Sequence, residues 1–148
     1  MYSIGLGIPK TSTYFDFTFE SAILDLLGGN GSCEIHVFDH LTEKSVVVPD
    51  GITLHPWGIE GQVDSNLGRR DYFTLEEAVD YLGHGGREID VLKVDCEACE
   101  WHTFPEWFTS GVTIRQILVE VCSSASLWFA VYNLLIQNLS ILAYSVNS

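Results

Sequence analysis

Basic residues are scarce in this chain of 148 amino acids, which has 7 Lys and Arg against 20 Asp and Glu and a net charge of -13. An acidic surface repels nucleic-acid phosphates and anionic lipid headgroups, so nucleic-acid partners and adsorption to a membrane surface are disfavoured. Disordered proteins have a low hydrophobic content. In this chain 47% of the residues are hydrophobic, which excludes an intrinsically disordered protein. This length predicts one domain with one core over residues 1–148.

Charged residues of either sign are missing after Glu120, so the segment 121–148 is uncharged. About 20 apolar residues are enough to cross a bilayer. This segment, however, contains polar residues such as Asn133, and no Lys or Arg follows it. We therefore predict no membrane span, but a buried helix over Leu127–Leu139 followed by a strand over Ile141–Val146.

A signal sequence with a basic and then an apolar part is not found at the N-terminus, which makes a cytoplasmic location the default expectation. Met1 leads directly into an apolar segment that is typical of a strand. A fragment that lacks residues at both ends is the alternative to a complete domain.

Cysteines are too few and too scattered for a disulfide framework, at Cys33, Cys96, Cys99 and Cys122. Cys96 and Cys99 form a C-x-x-C pair, but the acidic residues around them raise a thiol pKa, whereas redox motifs lower it. A zinc site needs further Cys or His at suitable spacing, and only His102 is close. We therefore interpret these cysteines as ordinary small side chains.

Strand patterns alternate with helix patterns along the chain. The apolar runs typical of strands are Tyr2–Leu6, Cys33–Phe38, Ile52–Trp57, Ile89–Val94 and Ile114–Val121. A helix is predicted over Leu75–Leu82, where Thr74 and Glu77 form a capping box. Such alternation favours an α/β fold with a mostly parallel sheet and helices on both faces.

The first predicted helix spans Phe19–Leu27 and is capped by Thr18. Its apolar residues are expected to form the buried face, namely Phe19, Ile23, Leu26 and Leu27.

Ligands of parallel sheets bind beyond the carboxyl ends of the strands, near the point where the strand order reverses. Gly5 and Gly7 lie where the first predicted strand enters a glycine turn, and they allow close approach of the backbone to a ligand. Asp39 ends the second strand, where a carboxylate accepts hydrogen bonds from ribose hydroxyls. These features favour a nucleoside-bearing cofactor, and they leave a nicotinamide dinucleotide and S-adenosylmethionine both open.

A third glycine is missing from the first loop, and Pro9 occupies the place where a pyrophosphate-binding helix would begin. Both observations count against an NAD-dependent oxidoreductase, which is the weaker alternative. The fourth strand ends in Asp95, Glu97 and Glu100, and three acids so close together are costly unless they are solvated, paired or used. Oxygen ligands of this kind suit Mg²⁺ or Ca²⁺, but we predict no metal site.

The segment Leu92-Lys93-Val94-Asp95-x-Glu97-x-x-Glu100-Trp101 resembles the L-K-[IV]-D-x-E-G-x-E motif of FkbM-type and related methyltransferase-like domains. The resemblance extends over nearly the whole chain, through Tyr2–Gly7, Phe19-Glu20, Val37–Asp39, Leu54–Gly58 and Gln116–Val121. It implies a class I methyltransferase domain with a Rossmann-like three-layer αβα sandwich and a mostly parallel sheet. The chain departs from the family in that no pattern for the seventh strand is found, so we expect the sheet to lack its last strand. The implied cofactor is S-adenosylmethionine.

The resemblance also implies roles for residues in cofactor binding. Gly5 and Gly7 would lie along the methionine part of the cofactor, and Asp39 would bind the ribose. The segment Trp57-Gly58-Ile59 would border the adenine. Glu20 would orient the glycine loop or the amino group of the cofactor.

Methyl transfer is a displacement at an already activated sulfonium, so the protein has mainly to position the acceptor and exclude water. Asp95 would lie where the methyl group is transferred and would contact the cofactor. A hydroxyl acceptor must lose a proton, and the candidate bases are Asp95, Glu120 and His102, in that order. The predicted function is O-methylation of a small molecule or glycan. Because Ala98 replaces the glycine of the family motif and Cys122 replaces a histidine, a non-catalytic cofactor-binding module is the alternative.

Overall fold

The structure is a computed structural model, and it describes residues 1–6, 15–29, 31, 33–40, 46–60, 72–96, 100–120 and 140–144. Eight strands are present in this part of the chain, namely β1 (Tyr2–Ile4), β2 (Ile35–Phe38), β3 (Ile52–His55), β4 (Gly58–Ile59), β5 (Tyr72–Phe73), β6 (Ile89–Val94), β7 (Ile114–Glu120) and β8 (Ser140–Tyr144). The helices are α1 (Thr18–Leu26), α2 (Leu75–Tyr81) and α3 (Glu100–Thr109).

Six of these strands form one sheet in the order β3-β2-β1-β6-β7-β8, and each neighbouring pair is parallel. The chain builds one half of the sheet outward from β1 to β3 and then returns to β6 to build the other half. The strand order therefore reverses between β1 and β6, as in doubly wound Rossmann-like folds. The predicted α/β class with a parallel sheet is confirmed. Strands β4 and β5 form a separate parallel pair.

Hydrophobic side chains pack on both faces of the main sheet, because successive residues of a strand point to opposite faces. The cluster on one face includes residues of β1, β6, α2 and α3, among them Tyr2, Ile4, Leu92, Val94, Leu75 and Trp107. The cluster on the other face includes residues of α1, β2 and β3, among them Leu24, Ile35, Val37 and Ile52. Helices thus cover both faces, which gives the predicted three layers.

The buried face of α1 differs from the prediction. Leu26 and Leu27 are 80% and 53% exposed, whereas Glu20 and Leu24 are buried. The physical reason is that Glu20 has polar partners on the sheet, described below, so the helix presents this residue to the core. An apolar pattern alone does not reveal such a partner.

The predictions for the N-terminal caps of α1 and α2 had different outcomes. Thr18 was predicted to cap α1, and this is wrong, since Thr18 is the first helical residue and its N–H donates to Asp16 Oδ1 at 2.9 Å. The capping box of α2 is confirmed. Glu77 N donates to Thr74 Oγ1 at 3.2 Å, and Thr74 N donates to Glu77 Oε2 at 2.8 Å.

The uncharged tail contributes a strand to the main sheet. β8 pairs with β7 in parallel register from Gln116↔Ser140 to Glu120↔Tyr144. The predicted helix over Leu127–Leu139 lies outside the described residues. No helix in the described part of the chain combines the length and the apolar character needed to cross a bilayer.

One cysteine differs from the interpretation as an ordinary small side chain. Cys96 is disulfide-bonded, while Cys33 is a free thiol. Cys99 and Cys122 lie outside the described residues.

Candidate functional site

The carboxyl ends of β1, β2 and β6 meet at the point where the strand order reverses. Gly5 N donates to the carbonyl oxygen of Phe38 at 2.9 Å, and Asp95 N donates to that of Ile4 at 2.8 Å. The ladders of the sheet therefore continue one residue beyond these strands. As a result, the sequence-predicted residues Gly5, Asp39 and Asp95 lie side by side at this edge, which we call the switch-point edge.

Gly5 is required by the close approach of two backbones. Its φ is +79°, and a Cβ placed on it would lie 1.9 Å from the carbonyl oxygen of Asp95. No side chain fits between the end of β1 and the end of β6 at that distance. Gly7, the second glycine of the predicted loop, lies outside the described residues.

Asp39 fixes the segment that follows β1. Its Oδ2 accepts a hydrogen bond from the backbone N–H of Leu6 at 3.0 Å, and the residue is only 6% exposed. The carboxylate thus connects the end of β2 to the start of the glycine loop. A ligand would reach Asp39 over a small area of its surface.

A buried polar cluster lies directly beneath the switch-point edge, on the face that α1 covers. Ser3 and Lys93 are register partners on β1 and β6, so their side chains point to the same face. Ser3 Oγ donates to Glu20 Oε1 at 2.6 Å, and Lys93 Nζ lies 3.7 Å from that oxygen. Lys93 Nζ also lies 3.6 Å from Asp95 Oδ2 and donates to the carbonyl oxygen of Gly5 at 3.2 Å.

The charges of this cluster do not balance among the described residues. Lys93 faces two carboxylates, those of Glu20 and Asp95, with one ammonium group. Glu20 is 0% exposed, and its Oε2 is buried with no hydrogen-bond partner among the residues described. Buried carboxylate oxygens are normally paired. The edge therefore suits a ligand group that carries positive charge or donates hydrogen bonds.

Trp57 lies among aromatic rings beyond the end of β3. Its ring centroid is 4.9 Å from that of Phe38 and 4.4 Å from that of Phe73, and the side chain is half-buried. The ring thus packs against the core and keeps part of its surface exposed.

Gly58 and Ile59 form β4 and are both buried. A Cβ on Gly58 would lie 2.8 Å from the ring of Tyr72 and 3.6 Å from His40 Nδ1. Ile59 is 2% exposed and belongs to the core. The structure thus gives each of these residues a packing role, and their contact with adenine stays a prediction.

Two candidate bases lie at the carboxyl ends of neighbouring strands. Val94 and Val119 are register partners of β6 and β7, so Asp95 and Glu120, which come next, occupy equivalent positions. The side chain of Asp95 is 21% exposed. His102 lies in α3, directly after the switch-point edge in sequence, but its side chain is outside the described part of the chain, and so is that of Glu100.

Neither Ser3 nor Lys93 was predicted as a member of the site, and Lys93 was recognised only as a residue of the motif Leu92–Trp101. A lysine within a strand that is buried on both faces is itself a signal, because its ammonium must find buried acceptors.

A comparison with protein-family models gives a match to the model described as a methyltransferase domain, over residues 2–133. This range includes the switch-point edge and the buried polar cluster. Searches of curated proteins and of solved structures gave no match.

Proposed function

Because the chain belongs to the methyltransferase domain family, we propose that it transfers a methyl group from S-adenosylmethionine to an oxygen of a small molecule or glycan. The family match covers most of the chain and supports methyl transfer as the general activity. The cofactor, the acceptor oxygen and the narrower resemblance to FkbM-type domains are parts of the proposal.

The observation that carries the proposal is the excess of carboxylates at the switch-point edge. S-adenosylmethionine has a positive sulfonium and a positive amino group, and both favour nearby carboxylates. Glu20 offers a buried oxygen with no partner among the described residues, and Asp95 is partly exposed at the same edge. These residues therefore fit the cofactor chemically.

The chain's own residues have the tasks of binding, orientation and proton acceptance. When bound, the cofactor supplies an activated methyl group. Lys93 holds the Gly5 carbonyl and Asp95 in place through one ammonium group. We assign acceptance of the acceptor's hydroxyl proton to Asp95, with Glu120 and His102 as the further candidates.

A calorimetric titration with S-adenosylmethionine, S-adenosylhomocysteine and NAD tests the cofactor. We expect binding of the first two ligands and none of NAD. Binding of NAD alone, or of none of the three, would contradict the proposal. Binding without turnover on a panel of hydroxyl-bearing acceptors would overturn the enzymatic part and leave a cofactor-binding module.

Replacement of Asp95 by Asn tests the assigned base. The change keeps the size of the side chain but removes its ability to accept a proton, so we expect the methylation rate to fall by about 100-fold or more. The rate at saturating cofactor and acceptor is the measurement, with Glu120→Gln made in parallel. Unchanged turnover and unchanged cofactor binding in the Asp95 variant would refute its assignment.

A further inference from the structure

A second cluster of polar side chains lies near the other end of the strands, away from the switch-point edge. Glu34 precedes β2, His36 lies within it, and His84 follows α2. One potential ligand atom from each of these three residues lies within 4.8 Å of the others. His55 and Tyr2 pack around them, and we call the five residues the histidine cluster.

His36 has one ring nitrogen engaged and the other unpartnered. Its Nδ1 is 3.0 Å from His55 Nε2, and the two rings are nearly parallel. Its Nε2 is buried and has no hydrogen-bond partner in the described part of the chain. A buried polar atom without a partner is costly, and it calls for a specific reason.

Like His36, His84 has its Nδ1 at hydrogen-bond distance from a neighbouring side chain. Its Nδ1 is 2.8 Å from the hydroxyl oxygen of Tyr2, and its Nε2 is 3.5 Å from Glu34 Oε2. The backbone supports this position, since Gly83 adopts φ +69° after α2 and His84 N donates to the carbonyl oxygen of Val79 at 2.9 Å. The imidazole is therefore held on a defined turn.

We propose that Glu34, His36 and His84 bind one divalent transition-metal ion of the zinc type. Two imidazoles and one carboxylate, with a fourth position for water, are a donor set that Zn²⁺ accepts. His55 and Tyr2 would accept hydrogen bonds from the Nδ1–H groups of His36 and His84, which leaves both Nε2 atoms with lone pairs for the metal. Ligating histidines usually have such partners.

The spacing of the three ligand atoms requires only a small contraction. The ligand atoms of a tetrahedral zinc ion with bonds of about 2.0 Å lie about 3.3 Å apart. The potential ligand atoms of Glu34, His36 and His84 lie within 4.8 Å of one another. Glu34 is 56% exposed at its side chain, so its carboxylate has room to move toward the two rings.

Arg87 competes with the metal. Its guanidinium donates to Glu34 Oε2 at 2.6 Å, the oxygen that faces His84. Replacement of Arg87 by Gln removes a positive charge beside the site and releases this oxygen. We therefore expect Arg87→Gln to bind zinc more tightly than the unmodified chain.

The role of this site would be structural. Tyr2 is the first residue of β1 and Gly5 follows its last residue, so Tyr2 lies roughly 10 Å from the switch-point edge along the strand. A bound ion would connect the start of β2 to the turn after α2. This inference does not rest on methyl transfer, and either proposal can fail without the other.

Zinc titration of the tag-free full chain, after removal of metals with a chelator, tests the inference. Calorimetry and elemental analysis should give one Zn²⁺ per chain. Glu34→Gln and His84→Gln should each weaken binding by about 100-fold or more, and Tyr2→Phe by about 10- to 100-fold, since supporting residues usually cost that much. His40→Gln, at a histidine outside the cluster, is the control and should bind as the unmodified chain does.

Melting of the metal-free proteins separates loss of the site from loss of the fold. Zinc should raise the melting temperature of the unmodified chain and not that of His84→Gln. If His84→Gln does not fold, Glu34→Gln decides, because this side chain is largely exposed. Absence of stoichiometric zinc binding, or full affinity in the folded ligand variants, would overturn the inference.

Discussion

Lys93 is the residue on which the electrostatics of the switch-point edge depend most. Its ammonium lies between the carboxylates of Glu20 and Asp95 and also holds the Gly5 carbonyl. Glu20 is fully buried, so without Lys93 its charge would have only the hydroxyl of Ser3 as a described partner. Loss of one member of a buried ion pair is usually far more damaging than replacement of both.

We therefore predict that Lys93→Met lowers the free energy of unfolding by about 3–5 kcal/mol, as measured by urea denaturation at pH 7. The double variant with Glu20→Gln should recover part of this loss, because the uncompensated charge is then gone. Arg115→Met is the control. Arg115 forms ion pairs with Glu88 and Asp90 at the surface, so its loss should cost less than about 1 kcal/mol. Equal losses for Lys93→Met and Arg115→Met would contradict the prediction.

Gly5 gives a second prediction at the scale of one residue. In Gly5→Ala, a left-handed backbone is combined with a clash between the new Cβ and the Asp95 carbonyl. Gly111 also has a left-handed backbone, with φ +74°, but a Cβ added there would meet no atom of the other described residues within 4 Å. The conformation alone costs about 1–2 kcal/mol in each variant. Urea denaturation should therefore show a larger loss for Gly5→Ala than for Gly111→Ala. Similar losses would mean that the two backbones can separate without cost.

At the scale of the element, α2 and α3 are coupled through the carboxyl group of the half-buried Glu106. Glu106 of α3 accepts a hydrogen bond at Oε1 from the backbone N–H of Leu75, the first residue of α2, at 3.0 Å. Its Oε2 is buried with no partner among the described residues. Burial raises the pKa of Glu106, and the backbone hydrogen bonds from α2 oppose this effect.

Because the pKa of Glu106 is raised in the folded state, its protonated carboxyl group stabilises the fold fully below the ordinary pKa of a glutamate. This stabilisation is lost as the pH rises through the pKa of the folded state. Glu106→Gln keeps an oxygen acceptor but has no charge. We predict that its stability relative to that of the unmodified chain increases as the pH rises from 4 to 7. Urea denaturation at both pH values measures the difference. A difference that is constant, or that favours the unmodified chain as the pH rises, would contradict the prediction.

The helices show which parts of an element a sequence can predict. The capping box of α2 was predictable because Thr74 and Glu77 are three residues apart and satisfy each other locally. The buried face of α1 was not, because Glu20 is buried by its contacts with Ser3 and Lys93, and Lys93 is distant in sequence. A hydrophobic pattern counts a glutamate as exposed unless its partner is known.

At the scale of the whole molecule, the alternation of strands and helices was sufficient to predict a parallel sheet with helices on both faces. The adjacency of Gly5, Asp39 and Asp95 also followed, because each was placed after a strand of that sheet. The strand order β3-β2-β1-β6-β7-β8 depends on which strands pair, and one sequence contains no direct record of that pairing. The histidine cluster was missed for the same reason, since His36, His55 and His84 come from separate elements.

We propose that the carboxylates at and beneath the switch-point edge bind S-adenosylmethionine. Calorimetric titration of this cofactor into the unmodified chain and into Glu20→Gln tests this binding, with Glu88→Gln as a matched change in an exposed ion pair. We predict that the unmodified chain and Glu88→Gln bind equally, and that Glu20→Gln binds at least about 10-fold more weakly, a loss of about 1.4 kcal/mol. No binding by the unmodified chain, or equal affinity in Glu20→Gln, would contradict the claim.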